Sequence, residues 1–240
     1  MMKEIFCSIS FILSVLIPVC AYVNFGDQGP KKLIHTKTSP IERYSFPSYY
    51  PYNTENIHFA ILGGGAFSLA LAKVLSYKNI KSTMLVRNQT VADCINLSRR
   101  HPKYLIESDL PGTLSATADP KEALKNANYV VHAVPMQQSR DFLIQTKQYL
   151  SPNVPILSVT KGVEQGTFSL MNDIISQTLG TSYQTAYLSG PSFALEIMNG
   201  QATAVVIASA DDTLASELAL ILSCQQFRCH TSRDVKVDLL

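Results

Sequence analysis

A doubly wound, mostly parallel α/β sheet is the fold class this sequence predicts, and three observations predict it. Short apolar runs alternate with stretches of helical periodicity from Ile57 to Thr231. A glycine-rich turn, Gly63-Gly64-Gly65, stands directly after the first run. Small polar segments, Thr160-Lys161-Gly162 and Ser189-Gly190-Pro191-Ser192, follow two of the later runs. Strands alternating with helices argue for right-handed crossovers and a mostly parallel sheet. The bulk composition agrees: 46% of the 240 residues are apolar and 16% charged, which suits a globular chain with a sizeable core. The length allows one or two domains of about 100–200 residues each.

The chain opens on a different pattern. Met1–Glu4 is short and carries Lys3, and Ile5–Val19 is then almost wholly apolar. This run is shorter than the roughly 20 residues that a helix needs to cross a bilayer, and Pro18 would break a helix near its end. Val19 and Ala21 supply small residues for cleavage after Ala21, so residues 1–21 read as a signal peptide, with an uncleaved anchor as the rival reading. Once that segment is cleaved, no stable membrane span is expected. Residues 22–56 are rich in Tyr, Ser, Thr and Pro, hold Lys31, Lys32, Lys37 and Arg43, and show no periodicity. They read as a transit-like, disordered segment. Together the two segments predict import into a plastid; secretion is the alternative.

The folded part is expected over residues 57–235. Ile57–Leu62 is apolar and too short for a helix, as suits a strand buried on both faces. Ala66–Ser76 carries Leu69, Leu71, Ala72 and Leu75 at helical spacing. Ser82–Val86 is a second strand, followed by a helix over Thr90–Leu97. Pro120 starts another helix, with Asp119 as N-cap. Tyr129–Ala133, Ile156–Val159, Thr185–Leu188, Ala202–Ala208 and Phe227–Thr231 are the remaining strands, the last two separated by a helix over Leu214–Leu222.

Charge excludes one class of partner. The formal net charge is only +2 and no basic run exceeds a pair, so nothing suggests nucleic acid. Five cysteines include Cys7 and Cys20 in the leader; Cys94, Cys224 and Cys229 form no C-x-x-C pair and no zinc spacing. No metal and no disulfide framework is expected.

The glycine turn joins a strand to a helix, the context in which such a turn binds a dinucleotide, and the fold is therefore expected to be Rossmann-like. Gly63 permits the tight turn, Gly65 lets the backbone approach a pyrophosphate, and the helix amides beyond carry partial positive charge. Ser68 stands at the third glycine position of the fingerprint. At the end of the second strand, Val86-Arg87-Asn88 offers no acid for ribose hydroxyls. Arg87 could cradle a 2′-phosphate, stack on adenine, or simply be solvated, so NAD and NADP both stay open. Lys161 ends a strand and can place an ammonium beside a phosphate or carbonyl oxygen. His132 also ends a strand and reads as a satisfied structural histidine rather than a catalytic one.

These segments, with Met84-Leu85-Val86-Arg87, the Asn96, Tyr104 and Leu110-Pro111 spacing, His132-Ala133-Val134-Pro135, Thr160-Lys161-Gly162-Val163-Glu164 and Leu188 to Glu196, carry a resemblance. The chain resembles the NAD(P)-dependent glycerol-3-phosphate dehydrogenases of the bacterial and plastid type. The resemblance implies that Ala66, Phe67, Arg87 and Ala194 line the NAD(P) site, together with Gly63 and Gly65. Lys161 would touch cofactor and substrate, and Gly190 and Ser192 would hold glycerol 3-phosphate or dihydroxyacetone phosphate. It further implies reversible hydride transfer for glycerolipid synthesis, and a possible homodimer at full length.

Departures accompany the likeness. Ala66 and Ser68 replace a frequent Ser and the third Gly, and Arg99, Arg100 and Ile106 break the pattern around Tyr104. In the family a helical C-terminal domain follows, with the general acid/base lysine and the phosphate-gripping Arg and Asn. Residues 236–240 stand where that domain would begin. The resemblance therefore implies a chain inactive as given; a non-catalytic nucleotide-binding module is the alternative.

Overall fold

A computed structural model describes residues 56–238. The readings of residues 1–21 and, except for residue 56 itself, of residues 22–56 lie outside the described residues. Eight strands form one sheet in the order β3-β2-β1-β4-β5-β6-β7-β8. They are β1 (His58–Leu62), β2 (Lys81–Leu85), β3 (Leu114–Thr117), β4 (Tyr129–His132), β5 (Ile156–Ser158), β6 (Thr185–Ser189), β7 (Thr203–Ala208) and β8 (Phe227–Ser232). Every neighbouring pair is parallel except β6 with β7. The expected Rossmann-like, mostly parallel sheet is what the chain forms.

Helices cover both faces: α1 (Ala66–Ser76), α2 (Gln89–Asp93), α3 (Pro120–Leu124), α4 (Met136–Thr146), α5 (Met171–Thr178), α6 (Ala194–Met198), α7 (Asp212–Leu222) and α8 (Val235–Asp238). The alternation along β1 shows why the strand reads as continuously apolar. Phe59 and Ile61 feed one core with α1, α6 and α7, whereas Ala60 and Leu62 feed a second with α3, α4 and α5. All four are fully buried, as a strand between two helical layers requires.

Local signals account for several boundaries. Asp119 accepts the Lys121 amide at 2.9 Å and Pro120 occupies the first helical position, as expected. Asp211 caps α7 through the Thr213 and Leu214 amides. The helix expected over Thr90–Leu97 is different: α2 ends at Asp93, and Cys94–Ser98 forms a π-helical turn. This wider turn accompanies a bidentate contact of Asn96 with the edge strand, Nδ2 donating to Ala116 O and Oδ1 accepting from Ala116 N, both at 2.8 Å. Arg99, held at φ 56°, donates to Leu114 O and Gly112 O, so side chains satisfy the outer edge of β3.

β3, α4, α5 and α6 carry no clear sequence signal. β3 is four residues long, and α4 is mostly polar, burying only Met136, Ser139, Leu143 and Thr146. No helix among the described residues is long and apolar enough to cross a membrane.

Candidate functional site

The strand order reverses between β1 and β4, and ligands of open α/β sheets bind beyond the carboxyl ends at such a point. Gly63 occupies it. Its amide donates to Leu85 O at 3.0 Å, its φ is 112°, and a β-carbon there would lie 2.7 Å from Ala133 O. Only glycine fits between β1 and β4 at this position. Gly64 packs against the end of β2, where a β-carbon would meet Val86 at 2.8 Å. Gly65 differs from both: its φ of −82° suits any residue, and a β-carbon would meet nothing within 4 Å. The space over Gly65 is open.

Gly65 is also the N-cap of α1, and no side chain caps that helix. The first amides of α1 therefore face the open space with their partial positive charge, a ready seat for a pyrophosphate. This cradle fits a dinucleotide. Ala66 and Phe67 open the helix, half-buried, with Phe67 packed against the larger core. Ser68 permits the close packing expected of the third fingerprint position, being fully buried. Its Oγ has no hydrogen-bond partner, which costs about 1–3 kcal/mol. Arg87, next to Val86, is exposed and makes no ion pair among the described residues.

The other predicted residues lie along the same edge. Lys161 follows β5, and its Nζ donates to Gly190 O beyond β6 at 2.6 Å. Burial pushes the Lys161 ammonium below its ordinary pKa. Gly190 has φ 136°, and a β-carbon there would press on Ala204 O and Val205 Cα at 3.1 Å. Ser192 Oγ donates to the same Gly190 carbonyl at 3.4 Å. Ala194 is the first residue of α6 and packs against the core. The structure thus joins Lys161, Gly190 and Ser192 directly, and sets Gly63 against β4; Arg87 stays at the β2 end of the edge.

His132 corrects an expectation. It is fully buried, and its Nε2 shares a 2.9 Å hydrogen bond with Ser139 Oγ, but Nδ1 has no partner. The histidine is structural and only half satisfied. Burial lowers its pKa to about 4, so it stays neutral near pH 7.

Some residues were not legible beforehand. His101 is buried, and its Nδ1 accepts the Lys103 and Tyr104 amides at 3.1 and 3.0 Å. That assigns the proton of the neutral ring to Nε2, which lies 3.9 Å from where a β-carbon on Gly64 would sit. Burial, then Lys103, lowers its pKa. Around it Arg100 pairs with Asp109 on the surface, and Tyr104 and Ile106 are exposed. Glu164 and its partner Arg140 were missed as well, although Glu164 belongs to the Thr160–Glu164 motif.

Cys94, Cys224 and Cys229 are free thiols. Among the described residues no three His, Cys, Asp or Glu side chains gather as metal ligands.

Residues 58–215 match a family model described as NAD-dependent glycerol-3-phosphate dehydrogenase N-terminus. The chain belongs to this family. A chloroplastic glycerol-3-phosphate dehydrogenase [NAD(+)] of Arabidopsis thaliana is 41% identical over 178 residues, covering 73% of this chain and 42% of that protein. A glycerol-3-phosphate dehydrogenase [NAD(P)+] of Corynebacterium urealyticum is 37% identical over 180 residues, covering 75% of this chain and 54% of its own. The crystal structure of the Coxiella burnetii glycerol-3-phosphate dehydrogenase superposes with a TM-score of 0.70 at 28% identity, covering 75% of this chain and 55% of that one. The chain thus spans about half the length of these relatives. What it shares with the glycerol-3-phosphate dehydrogenases is their N-terminal, NAD(P)-binding part.

Proposed function

We propose that this chain is the nucleotide-binding part of an NAD(P)-dependent glycerol-3-phosphate dehydrogenase, an oxidoreductase interconverting dihydroxyacetone phosphate and sn-glycerol 3-phosphate for glycerolipid synthesis. One observation carries the reading. The Lys161 ammonium rests on the Gly190 carbonyl, on the same sheet edge as the open cradle at Gly65. An anion-reading group thereby stands beside a dinucleotide seat, as a phosphorylated ketone requires.

The roles follow from position. Gly63 and Gly65, with the α1 amides at Ala66 and Phe67, seat the pyrophosphate. Arg87 faces the adenosine end, where it meets the adenine or a 2′-phosphate. Ala194 completes the nucleotide wall, and Gly190 and Ser192 hold the substrate with Lys161. When bound, the nicotinamide supplies or takes up the hydride exchanged with C2 of the triose phosphate. Lys161 would leave Gly190 O to donate to a substrate oxygen, orienting the carbonyl and stabilising negative charge there. The proton that balances the alkoxide, worth about 10²–10⁴-fold in rate, belongs to a lysine that the family resemblance places past this span.

Residues 57–235 are accordingly proposed to bind nucleotide. We place the boundary of this nucleotide-binding domain at residues 57–235, and homodimer formation and plastid import belong to the same reading. The chloroplastic relatives of Arabidopsis thaliana and Oryza sativa support import.

The test is titration of the full chain with NADH and NADPH, followed by cofactor fluorescence, since the chain contains no Trp. Saturable binding that weakens in Lys161→Ala and in Gly65→Ala is the expected result. Absence of binding by either nucleotide would overturn the reading.

A further inference from the structure

Lys161 sits in a long connection. Residues 159–170 join β5 to α5 without regular structure, and segments of this length are ordinarily mobile. Three positions in it have positive φ: Gly162 at 94°, Gly166 at 85° and Phe168 at 56°. Two glycine joints thus flank Glu164, one immediately after Lys161. A lysine on such a segment has no reason in local structure to keep its ammonium in one place.

The β4–α4 segment supplies that reason. Thr160 Oγ1 donates to Val134 O at 2.8 Å, fixing the chain just before Lys161. Beyond it, one face of α4 grips the loop. Gln137 Nε2 donates to Val163 O at 3.0 Å, while Gln137 Oε1 accepts the Gln165 amide at 2.9 Å, so one side chain pairs with backbone on both sides of Glu164. One turn later, Arg140 meets the Glu164 carboxylate as a two-pronged fork, Nε to Oε1 at 2.8 Å and Nη2 to Oε2 at 2.7 Å. Thr167 Oγ1 donates to the same carboxylate at 2.5 Å.

This arrangement is unlike an ordinary surface ion pair. The Arg140 and Glu164 side chains are 27% and 11% exposed, the geometry is bidentate, and the other acceptor capacity of the carboxylate is used by Thr167. Pairs of that kind fix geometry as well as contribute energy. By contrast, Arg100–Asp109, with side chains 52% and 79% exposed, is a solvated pair at the far end of the sheet.

We propose that the Arg140–Glu164 fork, with Gln137, is a latch that positions Lys161, holding its ammonium at Gly190 in register with the dinucleotide cradle. Glu164 and Arg140 are bonded to each other and act on the site through Lys161, so they are positioning residues. The inference rests on the reading that Lys161 serves the nucleotide and substrate site.

The experiment uses the full chain as wild type, Glu164→Gln, Arg140→Lys and Lys161→Ala. Glu164→Gln keeps the shape and removes the charge; Arg140→Lys keeps the charge and removes the fork. Two quantities are read: the dissociation constant for NADH, and the rate of amine-selective labelling of Lys161 at several pH values, by peptide mass spectrometry. Thermal midpoints establish which variants are folded.

In folded Glu164→Gln or Arg140→Lys, NADH affinity is expected to fall on the order of tenfold, since displacement by about 1 Å is enough to spoil a site. The limiting labelling rate of the deprotonated Lys161 amine, reached at high pH, is expected to rise, with its titration moved up toward that of an ordinary lysine. A merely structural ion pair would lower the thermal midpoint and leave both local readouts unchanged. Both quantities within about twofold of wild type in a folded variant would overturn the latch. If Lys161→Ala itself binds NADH as wild type does, the site reading fails, and the labelling rate alone decides whether the latch holds Lys161.

Discussion

Replacing Gly63 by Ala puts a methyl group at the point where the sheet changes direction, and the structure sets the size of the consequence. The added carbon would lie 2.7 Å from Ala133 O and 3.0 Å from Ala133 C, against backbone already tied to β1 by the bond from Ala133 N to Leu62 O. Neither side can yield without breaking a strand ladder. A φ of 112° adds the strain that a β-carbon suffers in that region. Backbone strain of about 1–3 kcal/mol and overpacking of a similar size predict a loss near 4 kcal/mol. For a domain of this length that lowers the melting temperature by about 8–16 °C. Gly65→Ala is the contrast. Its methyl meets nothing within 4 Å, and the backbone at φ −82° accepts it, so stability should stay within about 1 kcal/mol of wild type. The same methyl projects into the pyrophosphate seat, where a clash of about 1–3 kcal/mol weakens nucleotide binding about 5- to 150-fold. Circular-dichroism melts and NADH titrations of the two variants make the measurement. A Gly63→Ala protein melting within about 2 °C of wild type would refute the steric argument. A Gly65→Ala protein binding NADH normally would refute the assignment of the open space.

Three further outcomes are expected. Ser68→Ala removes a buried hydroxyl without a partner, so urea unfolding should show a gain of about 1 kcal/mol; a loss would mean that Ser68 Oγ makes a bond in solution. His132 has a folded pKa of about 4, below the ordinary histidine value, so the unfolded chain binds the extra proton first. Its contribution is complete above about pH 6.5 and is lost as pH falls toward 4, with a slope of at most about 1.4 kcal/mol per pH unit. In His132→Gln that slope should be absent from urea midpoints measured across the window. Glu164 is held down to about 2 by the hydrogen bonds from Arg140 and then Thr167. Its contribution is present above the ordinary carboxylate value near 4.3 and is lost as pH falls through about 2. The stability difference between wild type and Glu164→Gln should therefore shrink across that interval; a constant difference would deny the depressed pKa.

The sequence by itself determined the class of fold and singled out residues that share one edge of the sheet. Apolar runs of five or six residues cannot bury themselves as helices, so Ile57–Leu62 and Tyr129–Ala133 announce strands with both faces covered. The three glycines after β1, Asp119 before Pro120, and Lys161 and Gly190 after their strands were legible because each demands a particular backbone or charge at a strand or helix end. Position in the chain also placed them on one edge, because parallel strands all present their carboxyl ends together. Only the tertiary structure decided which partners those residues meet. β3 and α4 were illegible, since a four-residue strand and a polar helix have too little hydrophobic periodicity to stand out. With α4 unread, Gln137 and Arg140 could not be joined to Glu164, some 24 residues away along the chain. The antiparallel step from β6 to β7, the π turn that carries Asn96 to the edge of β3, and the half-satisfied His132 are of the same kind. Each depends on contacts between segments distant in sequence, and local propensity carries no record of such contacts.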